Sequence, residues 1–205
     1  NYRGVYFTSW RPKNTTISSL NGNTNQINKY NKNNVFWFKY EPISWTILEE
    51  SDGKALILCD MVIDAKAFAD DDHDYANSTI RTWLNEMFIN DAFTELQQEF
   101  ILATEVDNGN ASTGYVNARF TCDDTNDKIF LLSRAEVKNA AYGFTNEANR
   151  KKLATAYAIF GMNGAYDATS GAWWWLRTPA PHNTDVQRTD LAHTIKINGT
   201  VNSTS

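Results

Sequence analysis

One stretch in the middle of the chain repeats its apolar residues at a helical period. The spacing is i, i+3, i+4, i+7 and i+8, and the residues are Ile80, Trp83, Leu84, Met87 and Phe88. This spacing predicts an amphipathic helix with one continuous buried face. Any fold for this chain must therefore provide a core against which that face can pack.

Two capping-box patterns predict further helices. Thr94 and Gln97 have the required spacing and predict a second helix directly after the first. Ser133 and Glu136 repeat the pattern and predict a short third helix. The buried stripe of the second helix is expected to consist of Leu96, Phe100 and Ile101.

Strand-like segments lie on both sides of these helices. β-Branched and aromatic residues dominate 35–39, 43–48 and 55–63, which we interpret as a three-stranded meander with the last strand central. Residues 2–10 are expected to begin with a strand, and the Asn-rich stretch 13–34 is expected to be a mobile polar loop. Strands before and after central helices indicate an α+β fold.

The remaining segments are shorter. Residues 107–114 are expected to form a loop, and residues 129–132 a short buried strand. Residues 173–177 predict a strand that Thr178-Pro179 ends, because proline cannot donate to a ladder. A hairpin is predicted around Asn198-Gly199.

Length and charge narrow the class of protein. The chain has 205 residues, 42% of them hydrophobic, which fits one domain with a sizeable core. Its net charge of -5 argues against a nucleic-acid partner, and no apolar run is long enough to predict insertion into a membrane. Because the chain opens at Asn1 without Met, we expect a mature or trimmed protein whose targeting segment is absent.

The chemistry-bearing residues give few catalytic signals. The three histidines accompany no nucleophile elbow, and no Gly-rich phosphate loop is present, so we predict no catalytic residue and no cofactor. Two acidic stretches, 70–74 and 123–127, do not match a calcium loop; no metal ligand is predicted, and calcium binding is left open. Cys59 and Cys122 are interpreted as free thiols, with a bridge between them as the alternative.

Three consecutive tryptophans precede an arginine. Side chains alternate along a strand, so Trp174 should face away from Trp173 and Trp175. The core is the favoured place for these rings, and a sugar-stacking platform is the alternative. A buried Arg177 would need a carboxylate or several carbonyls around it, so its expected role is a structural clamp.

The segment after Pro179 is dense in hydrogen-bonding side chains. A solvated loop is one interpretation; the other is a recognition surface, because rigid scaffolds commonly carry binding residues on loops. The candidate ligand-binding residues are His182, Asn183, Asp185, Gln187, Arg188, Asp190 and His193, together with Trp173 and Trp175.

Several segments resemble, in order, motifs of an uncharacterised bacterial domain family. Residues 75–85 resemble W-x-x-S-x-[IL]-R-x-W-L-N with Tyr75 in place of the leading Trp, and residues 174–179 resemble W-W-L-R-S-P with Thr178 for Ser. The other matching segments are 43–48, Ala92-Phe93 with Glu99, and 127–133. The resemblance spans Val35 to Pro179.

We associate that family with the C-type-lectin-like fold, near the formylglycine-generating enzymes. The resemblance implies a single domain over 1–205, with a twisted antiparallel sheet, two main helices, long loops, and a loop-rich segment at 180–205. The calcium-dependent sugar motifs of C-type lectins have no counterpart here, and nothing places Cys59 and Cys122 as an active-site pair. The resemblance therefore implies binding rather than catalysis.

The tail also resembles a class of proteins diversified by retroelements. Their variable segment follows a W-L-R-S-P-like strand, as residues 180–205 do here. The usual closing G-[VI]-R-P-A strand has no counterpart, so we expect the chain to stop short of it.

The leading functional hypothesis is a non-enzymatic recognition domain, extracellular or displayed on a cell surface or virion. Its partner would be a protein or a glycan. The alternatives are an enzyme of unknown type, which predicts a deep pocket with perturbed titratable groups, and a structural module of a larger surface protein.

Overall fold

The computed structural model describes residues 1–6, 35–69, 74–115, 120–161, 171–180 and 191–202. Its strands are β1 (Tyr2–Tyr6), β2 (Val35–Lys39), β3 (Trp45–Ser51), β4 (Lys54–Cys59), β5 (Thr104–Val106), β6 (Thr125–Asp127), β7 (Trp174–Ala180), β8 (Leu191–Ile195) and β9 (Val201–Asn202). Its α-helices are α1 (Thr79–Trp83), α2 (Ile89–Ala92), α3 (Glu95–Phe100), α4 (Asn110–Thr113) and α5 (Ala156–Gly161). A π-helical segment, Leu84–Phe88, joins α1 to α2. The mixture of helices and small antiparallel sheets is an α+β fold, as predicted.

The chain forms two units, each assembled from distant segments. Unit 1 comprises Asn1–Lys66, Lys151–Trp173 and Ile197–Gly199. Unit 2 comprises Ala67–Arg150, Trp174–Lys196 and Thr200–Ser205. The expected single domain stays a prediction, and the expected mobile loop at 13–34 lies outside the described residues.

In unit 1, β1 and β2 form an antiparallel ladder with Tyr2 opposite Lys39. Alternate residues of β2 face inward, so Phe36 and Phe38 are buried and join Ala158 and Ile159 in the core of this unit. The N-terminal strand is therefore confirmed over the part of it that the structure describes.

The expected three-stranded meander is wrong in its pairing. Among the described residues, β2 pairs with β1, while β3 and β4 form a separate hairpin. Asp52 and Gly53 form its two-residue turn with φ of 52° and 71°, and this left-handed backbone suits the tight turn between two twisted strands. β4 is not central within the described part of the chain: there it pairs with β3 alone, and Ile57 on it is exposed.

In unit 2, the predicted central helix forms but changes its winding. Ile80 and Leu84 are buried four residues apart, as an α-helix requires. The Ile89 N–H then bonds the Leu84 carbonyl, a π-type step of five residues. This step makes Ile89 the next fully buried residue. Met87 is exposed, whereas Phe88 is half-buried and packs against the core of unit 2, so the predicted face is wrong at Met87.

The second predicted helix also forms, but two of the three residues of its predicted buried stripe are exposed, and the third, Ile101, is half-buried. The reciprocal Thr94–Gln97 capping box is confirmed at the start of α3. Leu96 and Phe100, expected in the core, are 66% and 79% exposed.

The C-terminal sheet of unit 2 has the order β7-β8-β9. The strand β7 does not end at Thr178-Pro179; it continues to Ala180, with a register shift against β8 between Trp175 and Pro179. That irregularity explains how a proline is accommodated within the strand. The predicted hairpin is confirmed as β8 and β9.

Three shorter segments differ from their predictions. Residues 129–132 do not join a ladder; the strand there is β6, which pairs with β5. The expected loop at 107–114 contains α4, which ends at Gly114 in a left-handed conformation. The predicted Ser133–Glu136 capping box is present, but it begins a 3-10 turn, Glu136–Lys138.

Candidate functional site

The candidate site is the junction of β7 and β8, because most of the predicted ligand-binding residues lie between these strands. His182, Asn183, Asp185, Gln187, Arg188 and Asp190 are outside the described residues. Their flanking positions are described: Ala180, the last residue of β7, pairs with Leu191, the first of β8. Both ends of the connecting segment 181–190 are thus anchored at adjacent positions of one sheet.

Arg177, a residue of β7, holds this strand in place near that junction. Its guanidinium is buried and donates two parallel hydrogen bonds to the Glu136 carboxylate, at 2.6 Å from Nη1 and 2.8 Å from Nη2. The remaining donors reach the Leu131 carbonyl at 2.7 Å, the Asp107 carbonyl at 3.1 Å and Asn108 Oδ1 at 3.1 Å. All five N–H groups of the side chain are therefore satisfied. The predicted structural clamp is confirmed.

Glu136 links this clamp to the capping box. Its Oε2 accepts the Ser133 N–H at 2.7 Å, while the Ser133 hydroxyl accepts the Glu136 N–H at 3.1 Å. The next residue of the turn, Arg134, donates its N–H to Thr178 Oγ1 at 2.9 Å. Two consecutive residues of β7, Arg177 and Thr178, are thus fixed by the turn that follows Ser133.

His193, a predicted ligand-binding residue, lies inside β8 and is 3% exposed. Its Nδ1 lies 2.7 Å from the Asn202 carbonyl, which can only accept, so Nδ1 carries the proton. Nε2 then accepts a hydrogen bond from the Tyr115 hydroxyl at 2.8 Å. Burial is the main cause that lowers the pKa of His193 to about 4; the charges of Arg134 and Lys138 act in the same direction, and the hydrogen bond to the Asn202 carbonyl opposes them. The neutral ring thus crosslinks β8 to β9 and to Tyr115.

Tyr115 and Arg134 are parts of this arrangement that the sequence did not indicate. The Arg134 guanidinium lies 4.6 Å from the centre of the Tyr115 ring and donates to the Gly114 carbonyl at 3.2 Å. Burial raises the pKa of the Tyr115 hydroxyl, which keeps its proton available for His193. No motif connects positions 115, 134 and 193, so only the fold reveals the cluster.

The three tryptophans are all half-buried. Trp175 packs edge-on against Phe68 with ring centres 5.4 Å apart and borders the core of unit 2. The Trp174 indole N–H donates to the Arg150 carbonyl at 3.1 Å. Trp173 belongs to unit 1, whereas Trp175 belongs to unit 2. A sugar platform built on Trp173 and Trp175 stays a prediction.

The segment that resembles the family signature holds the scaffold together. The Ser78 hydroxyl caps α1 by accepting the Arg81 N–H. Arg81 Nε donates to buried Asp127 Oδ1 at 2.8 Å, and Nη1 donates to the Ala76 carbonyl. The other Asp127 oxygen accepts from the Thr125 hydroxyl at 2.7 Å. The arginine of the signature is therefore a second structural clamp.

Asn85, the last residue of that segment, uses both ends of its amide. Its Oδ1 accepts the N–H groups of Lys128 and Ile129, and its Nδ2 donates to the carbonyls of Ile129 and Arg81. The bonds to Ile129 satisfy backbone groups at the start of residues 129–132, which were expected to form a strand.

Metal ligands and reactive thiols do not assemble in the described part of the chain. No group of three or more His, Cys, Asp or Glu residues among the described positions could hold a metal ion. Both cysteines are free, so the alternative of a bridge is wrong. Burial and, second, the neighbouring Asp74 carboxylate raise the pKa of Cys122 to about 12, so this thiol stays protonated.

The concave surface near β5 and β6 is an open groove rather than a deep pocket. Its lining residues are Ala103, Glu105, Asp124, Thr125 and Asn126. Asp124 already accepts the Asn108 backbone N–H at 2.8 Å.

Among the helices in the described part of the chain, none has the length and apolar character needed to span a membrane.

Comparison with known proteins identifies one family. A domain of unknown function, DUF6273, matches residues 52–205. No curated protein and no solved structure matches the chain. The match includes both clamps, the signature-like segment 75–85 and the whole of 181–190, whereas the strand-like segment 43–48 precedes it. Because the match covers well over half of the 205 residues, the chain belongs to the DUF6273 family.

Proposed function

We propose that this protein is a non-enzymatic recognition domain whose ligand contacts come from residues 181–190. The observation that carries the proposal is the anchoring of both ends of this segment, through the Ala180–Leu191 pair, on a sheet whose buried groups are satisfied. Binding residues are commonly placed on a connection between rigid elements, because the scaffold then keeps its stability while the contacts vary.

The hydrogen bonds of the scaffold support this separation of structural residues from ligand-contacting residues. Arg177 is paired with the half-buried carboxylate of Glu136, and Arg81 is paired with the buried carboxylate of Asp127. His193 uses both ring nitrogens within the protein, so we assign it a supporting role behind the recognition segment. Of the polar residues predicted to bind the ligand, those left to contact it lie in 181–190.

We further propose that the fold is C-type-lectin-like and that the segment is diversified by a retroelement. The support is the W-W-L-R-T-P sequence of Trp174–Pro179, which precedes a segment rich in His, Asp, Gln and Arg. The domain would be displayed outside the cell or on a virion, and its partner would be a protein or a glycan. No nucleic acid and no cofactor enter this proposal.

Deep sequencing of the coding region across one source population tests diversification. Substitutions should concentrate in 181–190, while Trp174–Pro179 and the Tyr115–His193 pair remain fixed. Equal variation in the segment and in the core would overturn the diversification proposal.

Binding is tested on a glycan array and against a displayed-peptide library with paired variants. Arg188→Ala and Asp190→Ala should abolish the hits found with the parent protein and leave the melting temperature unchanged. Arg81→Ala is the opposite control: it removes the clamp on Asp127, so it should lower the melting temperature. A large fall in melting temperature for the 188 and 190 variants would make those side chains structural.

A further inference from the structure

The helix α3 is built with its apolar side outward. Within this helix, which the structure describes in full, no residue is buried. Leu96 and Phe100 lie four residues apart, so they share one face, and they are among the most exposed large hydrophobic residues of the described chain. A short helix is ordinarily stabilised by packing an apolar face onto a core, and this one leaves that face in water.

Polar contacts hold α3 in place instead. Gln98, its single half-buried residue, donates from Nε2 to the Ile89 carbonyl at 3.2 Å and to the Phe93 carbonyl at 3.1 Å. The Thr94 capping box fixes the first turn, and Lys128 Nζ donates to the Gln98 carbonyl at 3.2 Å. The position of α3 is therefore specified without Leu96 and Phe100, which remain available to another surface.

The charged side chains of α3 itself all have one sign. Glu95 and Glu99 are also four residues apart and run alongside the row of Leu96 and Phe100. Both carboxylates are exposed, and neither forms an ion pair with another described residue. Between positions 82 and 106 the sequence has no lysine or arginine, and its acidic residues are Glu86, Asp91, Glu95, Glu99 and Glu105.

We propose that this outward face of α3 docks a basic amphipathic segment of a protein partner. Leu96 and Phe100 would anchor its apolar side, and Glu95 and Glu99 would pair with its Lys or Arg residues. An exposed apolar pair on a soluble surface marks an interaction site, and the acidic row selects a partner of opposite charge. A second copy of this chain would bring its own acidic row, so the charges oppose self-association. This surface is independent of 181–190.

The test uses a fluorescent synthetic helical peptide of Leu and Lys in amphipathic order, and the same residues in scrambled order. The full chain should bind the ordered peptide at least tenfold more tightly than the scrambled one. Leu96→Ser with Phe100→Ser should remove that preference, while Ile47→Ser, at an equally exposed apolar residue of β3, should keep it. Glu95→Gln with Glu99→Gln should weaken binding and flatten its dependence on salt.

Three results would overturn the proposal. Equal binding of both peptides would mean non-specific attraction to an acidic protein. A dimer in sedimentation that the Leu96 and Phe100 variant dissolves would assign the face to a second copy. A melting temperature lowered by several degrees in that variant, with no change in peptide binding, would mean that the face packs within the chain itself.

Discussion

At the scale of single residues, the described chain uses its strongest hydrogen-bonding side chains to hold its own segments together. Arg177 is the clearest case, because it combines a bidentate carboxylate with two carbonyls and an amide oxygen. A guanidinium fits this arrangement because its planar fork matches a carboxylate and its charge cannot be lost on burial. Removing it leaves Glu136 and three further acceptors without their partner.

We therefore expect Arg177→Met to lower the free energy of unfolding by about 3–5 kcal/mol. The measurement is urea denaturation followed by tryptophan fluorescence. Lys39→Met is the matched control, since Lys39 pairs with Glu41 at 2.5 Å on the surface, and it should leave the urea midpoint unchanged. Equal effects of the two variants would show that Arg177 is not a clamp.

His193 predicts a dependence of stability on pH. Its pKa is about 4 in the folded protein and about 6.5 when unfolded, so the unfolded chain binds the proton more readily. The His193 contribution is complete above pH 6.5 and is lost as the pH falls towards 4, by about 3 kcal/mol in total. Unfolding curves at pH 7, 6, 5 and 4 should show this loss in the parent protein and a shallower one in His193→Gln. Parallel profiles would contradict the assignment.

At the scale of elements, side chains bind backbone groups that are not in regular secondary structure and supply the hydrogen bonds that a neighbouring strand would supply. Asn85 binds the N–H groups of Lys128 and Ile129 as a neighbouring strand would. Asn85→Ala leaves those two groups without their acceptor, and we expect it to cost about 2 kcal/mol. Hydrogen exchange should accelerate at these two amides. Asn126→Ala, at an exposed position of β6, is the control and should leave exchange at both unchanged.

Local signals in the sequence predicted local structure well. The capping boxes at Thr94 and Ser133 and the C-terminal hairpin were read from adjacent residues and are present. Burial was less predictable, because it depends on partners far along the chain. Periodicity assumed a regular α-helix, so it could not anticipate the π step after which Ile89 is buried and Met87 is exposed. The sequence could not predict that β2 pairs with β1 rather than with β3, since the distances between these segments along the chain are compatible with both pairings.

The candidate site also contains one part that the sequence predicted and one part that it did not. The clamp role of Arg177 followed from the cost of burying a charge, which holds in any fold. The bond between Tyr115 and His193 joins positions 78 residues apart, and no property of either residue alone indicates it. His193 was predicted at a recognition surface because its neighbours are polar. The strand β8 buries it because it lies between β7 and β9.

At the scale of the whole molecule, the family match and the two units have different boundaries. The match begins at residue 52, whereas unit 1 draws on β1, β2 and β3 before that point. Phe36 and Phe38 supply the aromatic part of its core, and β3 is the partner of β4. Unit 2 takes all of its segments from within the matched region.

This difference predicts how a chain restricted to residues 52–205 behaves. Unit 1 would lose Phe36, Phe38 and the partner of β4, so its hydrogen bonds should open, whereas unit 2 would keep its core residues and both clamps. Hydrogen exchange distinguishes the two units by their amides. The Ile80 and Arg177 amides, bonded to Phe68 and Leu132, should stay protected, while that of Val62, bonded to Leu153, should exchange freely. Simultaneous loss of protection at all three would mean that the two units fold as one cooperative structure, because unit 2 would then depend on strands outside the family match.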